Sequence, residues 1–251
     1  MGELDARGLG PLPEVLSGED LATLIVETPI GAQLQDGDVV AIAQKVVSKA
    51  EGAVVALGEV TPSERAHELG VEQDKDPRAV QVVLDESAEV LRAANGVLIC
   101  RTHHGFVCAN AGVDASNAAD PDTLILLPRD PDASARRIRA RLHELTGRAP
   151  AVLITDSFGR AWRNGQVDVA IGIAGMQPLD DWRGRRDASG MELKATWLAV
   201  ADGAAACADL ARAKDSREPV VAIGGLERYV TEEDGPGVGP LLRALAEDLF
   251  R

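Results

Sequence analysis

The apolar run Ala151-Val152-Leu153-Ile154 constrains this chain most, because it reads as a buried strand that must end on Thr155-Asp156-Ser157-Phe158-Gly159-Arg160. A carboxylate and a hydroxyl arrive side by side, and Gly159, Arg160, Arg163 and Gly165 follow at once, so a tight turn is expected there. Asp156 and Ser157 are hard oxygen ligands of the kind Mg²⁺ prefers. Arg160 and Arg163 suit anionic oxygens, since a guanidinium grips carboxylate or phosphate with two parallel hydrogen bonds. Together these residue types point to phosphoryl or acyl-phosphate chemistry. The alternative is a polar strand end whose arginines pair with Asp168 or Asp180.

Charge narrows the partners. With 26 basic and 40 acidic residues the net charge is −14, which argues against a general nucleic-acid or anionic-membrane surface but leaves room for a local nucleotide pocket. Apolar residues make up 45% of the 251, enough for a core and against disorder. Cys100, Cys108 and Cys207 show neither metal-type nor redox spacing. Met1 to Gly10 is too short and mixed for a signal peptide, and no apolar stretch has the length of a membrane span. The expected location is the cytoplasm.

Local signals alternate between helix and strand. Ser17 followed by Asp20 reads as a helix start with Leu21, Leu24 and Ile25 as its apolar face, and Val39 to Ala43 as a strand after the Asp36-Gly37-Asp38 turn. Thr61-Pro62-Ser63-Glu64 reads as an N-cap, first-position proline and capping-box glutamate, and Asp76-Pro77 as a second helix start. Strands are expected at Val97 to Cys100, Phe106 to Asn110, Thr123 to Leu127, Val167 to Ile173 and Pro219 to Ile223. Helices are expected from Pro131 to about Gly147, from Thr196 to Ala213, and after the Gly235 to Pro240 loop. Strict alternation is missing, so the fold expected is α+β with mixed sheets. A boundary is placed near residues 182 and 183, between a larger lobe carrying the motifs and a second, closing lobe.

No G-x-x-x-x-G-K-S/T or G-x-G-x-x-G motif is present, so a bound nucleotide needs another cradle. Gln44-Lys45-Val46-Val47-Ser48-Lys49 is the candidate: its two lysines follow a buried strand and can hold phosphate as point charges, or can simply be solvated at the strand's end. Asp114 and Asn117 lie in a loop of small residues, where they fit Mg²⁺ or Mn²⁺ better than Zn²⁺, or form an Asx turn. His103 and His104 lack a third ligand at zinc spacing and are read as surface or supporting residues.

Leu12-Pro13-Glu14-Val15, Val46-Val47-Ser48-Lys49-Ala50-Glu51-Gly52, Ala111-Gly112-Val113-Asp114-Ala115-Ser116-Asn117 and the Asp156 to Gln166 segment, in this order, resemble the coenzyme F-420:L-glutamate ligases, or gamma-glutamyl ligases. The resemblance runs from about Leu12 to Gly224. It implies a two-lobed α+β fold, an intertwined homodimer, and GTP-dependent joining of L-glutamate to a deazaflavin coenzyme F-420 precursor through an acyl phosphate. It also implies Mg²⁺ or Mn²⁺, with K⁺ in support. By matching position, Leu12, Pro13, Glu14, Val15, Gln44, Lys45, Lys49 and Asn117 would contact GTP. Asp114 and Asp156 would hold one divalent ion, Ser157 would sit at a second, and the segment Arg212 to Pro219 would close over the nucleotide. Arg160 and Arg163 are then candidate clamps on substrate carboxylate or phosphate, beside Asp156 as the catalytic candidates.

The chain departs from the family where archaeal relatives place a glutamine ligand for the second ion, because Lys214 stands there. An ammonium has no lone pair and cannot ligate Mg²⁺. Either Lys214 touches the phosphates directly, the outcome favoured here, or Asp215 takes over. Gln44 and Lys45 are also less typical than the small hydroxyl residues of some relatives, which leaves the preference for GTP open. Of three tryptophans, Trp162 lies nearest the motif as a surface for the deazaflavin ring. A non-catalytic nucleotide- or coenzyme-binding protein and a metal-dependent phosphohydrolase are the competing functions.

Overall fold

The computed structural model describes residues 3–115, 122–212 and 216–248, and among these lie twelve strands and six α-helices. In order they are β1 (Asp5–Gly8), α1 (Leu21–Val26), β2 (Val39–Ala43), α2 (Gln44–Ala50), β3 (Val54–Ala56), α3 (Glu64–Gln73), α4 (Pro77–Asp85), β4 (Ser87–Ala94) and β5 (Val97–Thr102). After these come β6 (Val107–Ala109), β7 (Thr123–Ile125), α5 (Pro131–Thr146), β8 (Ala151–Arg160), β9 (Arg163–Ala174), β10 (Leu179–Asp181), β11 (Trp197–Ala199), α6 (Val200–Ala211) and β12 (Val220–Gly224). Helices and several separate sheets make the fold α+β, as expected. No helix among the described residues is long and apolar enough to cross a membrane.

The main sheet runs β1-β12-β2-β8-β9. Only β2 and β8 are parallel, with Val39 opposite Ala151 and Ala43 opposite Thr155. Every residue from Ala151 to Ile154 is buried, as is every residue from Val39 to Ile42, so both faces of the sheet are covered. Helices α5 and α6 pack on it, α5 together with α1. Gly172 lets the start of α5 come close: a Cβ there would lie 2.4 Å from the Pro131 carbonyl oxygen. A smaller sheet, β4-β5-β6, packs with α3 and α4 around a second apolar cluster that includes Leu69, Val80, Val83 and Leu98. Strands β3 and β7 form a two-stranded ribbon, as do β10 and β11.

Capping chemistry sets the helix starts. Asp20 accepts from the Ala22 and Thr23 N–H groups, Asp76 from Arg78 and Asp130 from Ala133. Gly147 ends α5 in the left-handed conformation. The third helix starts later than Thr61-Pro62 suggests: the cap is Ser63, whose hydroxyl accepts from the Ala66 N–H. The stretch from Thr196 is a strand, β11, before it is a helix. Beyond Gly235 the described residues hold only short 3-10 turns, Gly239–Leu241 and Leu245–Glu247, in place of the expected terminal helix.

The largest correction concerns the motif itself. Strand β8 does not stop at Thr155 but continues through Asp156 and Ser157 to Arg160, and the turn falls at Ala161-Trp162. From Asp156 onward the β2 pairing is over and β8 is held by β9 alone.

Candidate active site

Where β8 leaves the main sheet it packs against β6 of the smaller one. Side chains alternate along a strand, so Asp156 and Ser157 leave β8 on opposite faces rather than side by side. The structure therefore has two polar clusters, one on each face of the same strand.

On the Asp156 face lie Asp114 and Lys45. The Lys45 Nζ is 2.6 Å from Asp114 Oδ2. Asp114 is anchored by its backbone, which exchanges two hydrogen bonds with Ile125 at 2.9 and 2.8 Å. Just before it, Asn110, Ala111 and Gly112 all have positive φ. At Gly112 a Cβ would also lie 2.8 Å from the Leu127 side chain, so glycine is required to bring the loop in. Burial pushes the Asp156 carboxyl up to about 7; the negative charges of Asp168 and Asp114 add to this, while the Ser157 N–H and Lys45 oppose it. Cys108 is buried nearby, its thiol pushed up to about 12 by burial and then by the Asp156 charge, so it is no nucleophile.

On the other face Thr155 and Ser157 converge on Asp168, which lies directly across from Ser157 on β9. Ser157 Oγ donates to Asp168 Oδ1 at 2.6 Å and Thr155 Oγ1 to Asp168 Oδ2 at 2.9 Å. Arg212, the C-cap of α6, completes the cluster with Nη1 3.0 Å from Asp168 Oδ2. The Arg212 side chain is 9% exposed, yet its Nε and Nη2 have no hydrogen-bond partner among the described residues.

The remaining sequence candidates fall around these clusters. Gln44 and Lys45 open α2, and Gln44 is buried, accepting from Ser48 Oγ while its Nε2 has no partner among the described residues. Lys49, one turn on, meets Glu14 at 2.5 Å, which ties the Leu12 to Val15 segment to α2. Leu12 N–H also donates to the Arg217 carbonyl, so this segment borders the chain that follows α6. Arg160 and Arg163 are exposed at the far end of the β8–β9 hairpin, about 13 Å along the strand from Asp156. Arg160 donates to the Asn164 and Gly165 carbonyls. Asp168 and Asp180, considered as arginine partners, are instead paired with Arg212 and Arg185. Asn117, Lys214 and Asp215 lie outside the described residues. His103 and His104 place Nε2 on the carbonyls of Asp85 and of Pro128 and Arg129. Trp162 is 80% exposed at the hairpin turn.

Asp168 and Arg212 were not singled out as site residues in the sequence. The one signal was the pattern of a lone Asp inside an apolar strand, since a buried carboxylate needs a partner.

The donor set fits a hard cation. Asp114 and Asp156 offer carboxylate oxygen and Ser157, on the other face of β8, a hydroxyl, and among the described residues no group of three His, Cys, Asp or Glu side chains is assembled to hold a metal. Two carboxylates without a full protein cage suit Mg²⁺ or Mn²⁺ that shares substrate phosphates.

Comparison with known proteins gives the family. The coenzyme F420:L-glutamate ligase of Methanothermobacter thermautotrophicus is 44% identical over 247 residues, 97% of each chain. That of Methanopyrus kandleri is 44% identical across the whole of both chains. That of Methanocaldococcus jannaschii is 42% identical, covering 96% of this chain and 94% of its own. The family model F420-0:gamma-glutamyl ligase matches residues 10–225, and the chain belongs to that family.

Proposed function

We propose that the protein is a ligase that joins L-glutamate through gamma linkages to a deazaflavin coenzyme F420 precursor, with GTP as phosphoryl donor. The observation that carries this reading is the Lys45–Asp114 pair beside Asp156, two carboxylates and a cation at the point of β8 where its pairing with β2 is over. The relatives' names support the acceptor and the amino acid; GTP and the ions rest on the family resemblance, with which the carboxylates and lysines of the site are compatible.

The precursor's terminal carboxylate is a poor acyl donor until phosphorylated. One of its oxygens attacks the γ-phosphorus and GDP leaves; the glutamate amine then attacks the acyl carbon and phosphate departs with that oxygen. Bound Mg²⁺ or Mn²⁺ would neutralise charge on the β- and γ-phosphates, with K⁺ as a supporting ion. Asp114 and Asp156 would hold one divalent ion, and Ser157 would face a second. Lys45 and Lys49 supply point charges for the phosphates. The donors of Arg212 and Gln44 that have no partner among the described residues fit further oxygens of the nucleotide. Leu12 to Val15, Asn117 and Lys214 belong to the same nucleotide site, and Arg160 and Arg163 are reserved for the acceptor or glutamate. The working unit is a homodimer in the cytoplasm.

The test is incubation with GTP, Mn²⁺ or Mg²⁺, K⁺, L-glutamate and the unglutamylated precursor, read by mass spectrometry. Stepwise glutamyl additions, abolished by Asp156→Ala, are expected. GTP hydrolysis with intact precursor would indicate a phosphohydrolase instead.

A further inference from the structure

We infer that Asp168 is a positioning residue that accepts the hydrogen bond of the Ser157 hydroxyl, so that the Ser157 oxygen meets a cation beside the bound nucleotide with its lone pairs. This rests on the proposed reading of Ser157 as a metal-facing residue, and adds to it the group that makes Ser157 competent.

A serine hydroxyl carries one proton and two lone pairs, and only the lone pairs can approach a cation. Left to rotate, the hydroxyl points its proton wherever an acceptor lies. Here the acceptor is fixed: Asp168 stands opposite Ser157 in the β8–β9 register, and Ser157 Oγ donates to it at 2.6 Å, a charge-assisted bond. The rest of the carboxylate is also committed. Its Oδ2 receives Thr155 Oγ1 at 2.9 Å and Arg212 Nη1 at 3.0 Å.

Asp168 is 2% exposed and its charge is balanced by the equally secluded Arg212, so it sits behind Ser157 as an outer partner rather than beside it as a competing ligand. Carboxylates in that outer position orient the ligating group and raise its basicity. Arg212 brings in a second element: as the C-cap of α6 it connects Ser157 to the start of the segment that runs to Pro219.

A double-mutant cycle tests the assignment. Mn²⁺ binding is measured by electron paramagnetic resonance, with guanosine 5′-(β,γ-imido)triphosphate present, for the parent, Asp168→Asn, Ser157→Ala and the double variant. Asparagine keeps the shape but presents an NH₂ group to one of its three donors. Asp168→Asn is expected to weaken Mn²⁺ binding about tenfold or more, Ser157→Ala to weaken it similarly, and the double variant to be no weaker than Ser157→Ala alone. Thr155→Val, which leaves the Ser157 bond in place, is expected to stay near the parent.

If Asp168→Asn has the same effect with and without Ser157, or none, the assignment is overturned while the metal-facing reading of Ser157 stands. If Ser157→Ala leaves Mn²⁺ binding unchanged, that reading fails and takes the assignment with it. Should Asp168→Asn unfold because Arg212 loses its counter-charge, Asp168→Glu, which keeps the charge but moves the acceptor away from the Ser157 hydroxyl, replaces it in the cycle, with the same expectations.

Discussion

Lys45 and Asp114 meet at 2.6 Å, so the carboxylate read as a metal ligand already has a cation on it. Both side chains are about 30% exposed, which leaves the pair open to exchange with incoming ligands. In the nucleotide-free protein the ammonium and a divalent ion compete for the same oxygen; with nucleotide present, Lys45 can turn to the phosphates. Lys45→Ala is therefore expected to tighten Mn²⁺ binding without nucleotide and to weaken GTP binding. Spin-resonance titration and calorimetry measure the two, and losses in both would contradict the competition.

The Asp168–Arg212 pair predicts a large stability effect. Its side chains are 3% and 9% exposed, so removing one partner strands a buried charge. Arg212→Met is expected to cost about 3–5 kcal/mol in urea denaturation. The Arg148–Asp36 pair, with side chains 50% and 60% exposed, sets the comparison. Arg148→Met should cost no more than about 1 kcal/mol. Equal losses would show that Arg212 is not buried as described.

Asp156 gives a pH prediction for the metal-free protein. Its folded-state value of about 7 lies above the ordinary 3.8, with burial the main cause, so the ionised form is disfavoured by folding. The stability it contributes is fully present below about 3.8 and is lost as the pH rises through about 7. Asp156→Asn stays neutral throughout. In EDTA it should match the parent near pH 4 and exceed it at pH 8, by up to about 4 kcal/mol. Thermal melts across that range check it, and a parent equally stable relative to the variant at both ends would refute it.

Distance along the hairpin separates the arginines from the phosphate chemistry. Arg160 at the end of β8 and Arg163 at the start of β9 lie about 13 Å along the hairpin from Asp156, exposed to solvent. Arg160→Ala and Arg163→Ala should leave GTP binding unchanged while raising KM for the acceptor or for glutamate at least several-fold. A matching loss of GTP affinity would move them into the nucleotide site.

Much of this was readable from the sequence. Asp20 and Asp76 announce their helices because each accepts a local N–H, and Pro131 announces α5, whose cap is the Asp130 before it. The hard-oxygen character of Asp114, Asp156 and Ser157 was visible in their motifs. What escaped depends on contacts distant in sequence. Ser87–Ala94 is full of helix formers, and it is a strand because β5 pairs with it. The length of β8 was hidden by Gly159 and Arg160, whose pairing with β9 sustains it. Asp168 meets Ser157 only through that register, which shifts between Ile154 and Thr155, and Arg212 arrives from 44 residues further on.

The most direct measurement uses precursor labelled with ¹⁸O in its terminal carboxylate, incubated with GTP, Mn²⁺ and L-glutamate, with product and phosphate analysed together by mass spectrometry. The account predicts a glutamylated product and one ¹⁸O in the phosphate, carried over when the acyl phosphate collapses. Product with unlabelled phosphate, or labelled precursor left intact while GTP is consumed, would contradict it.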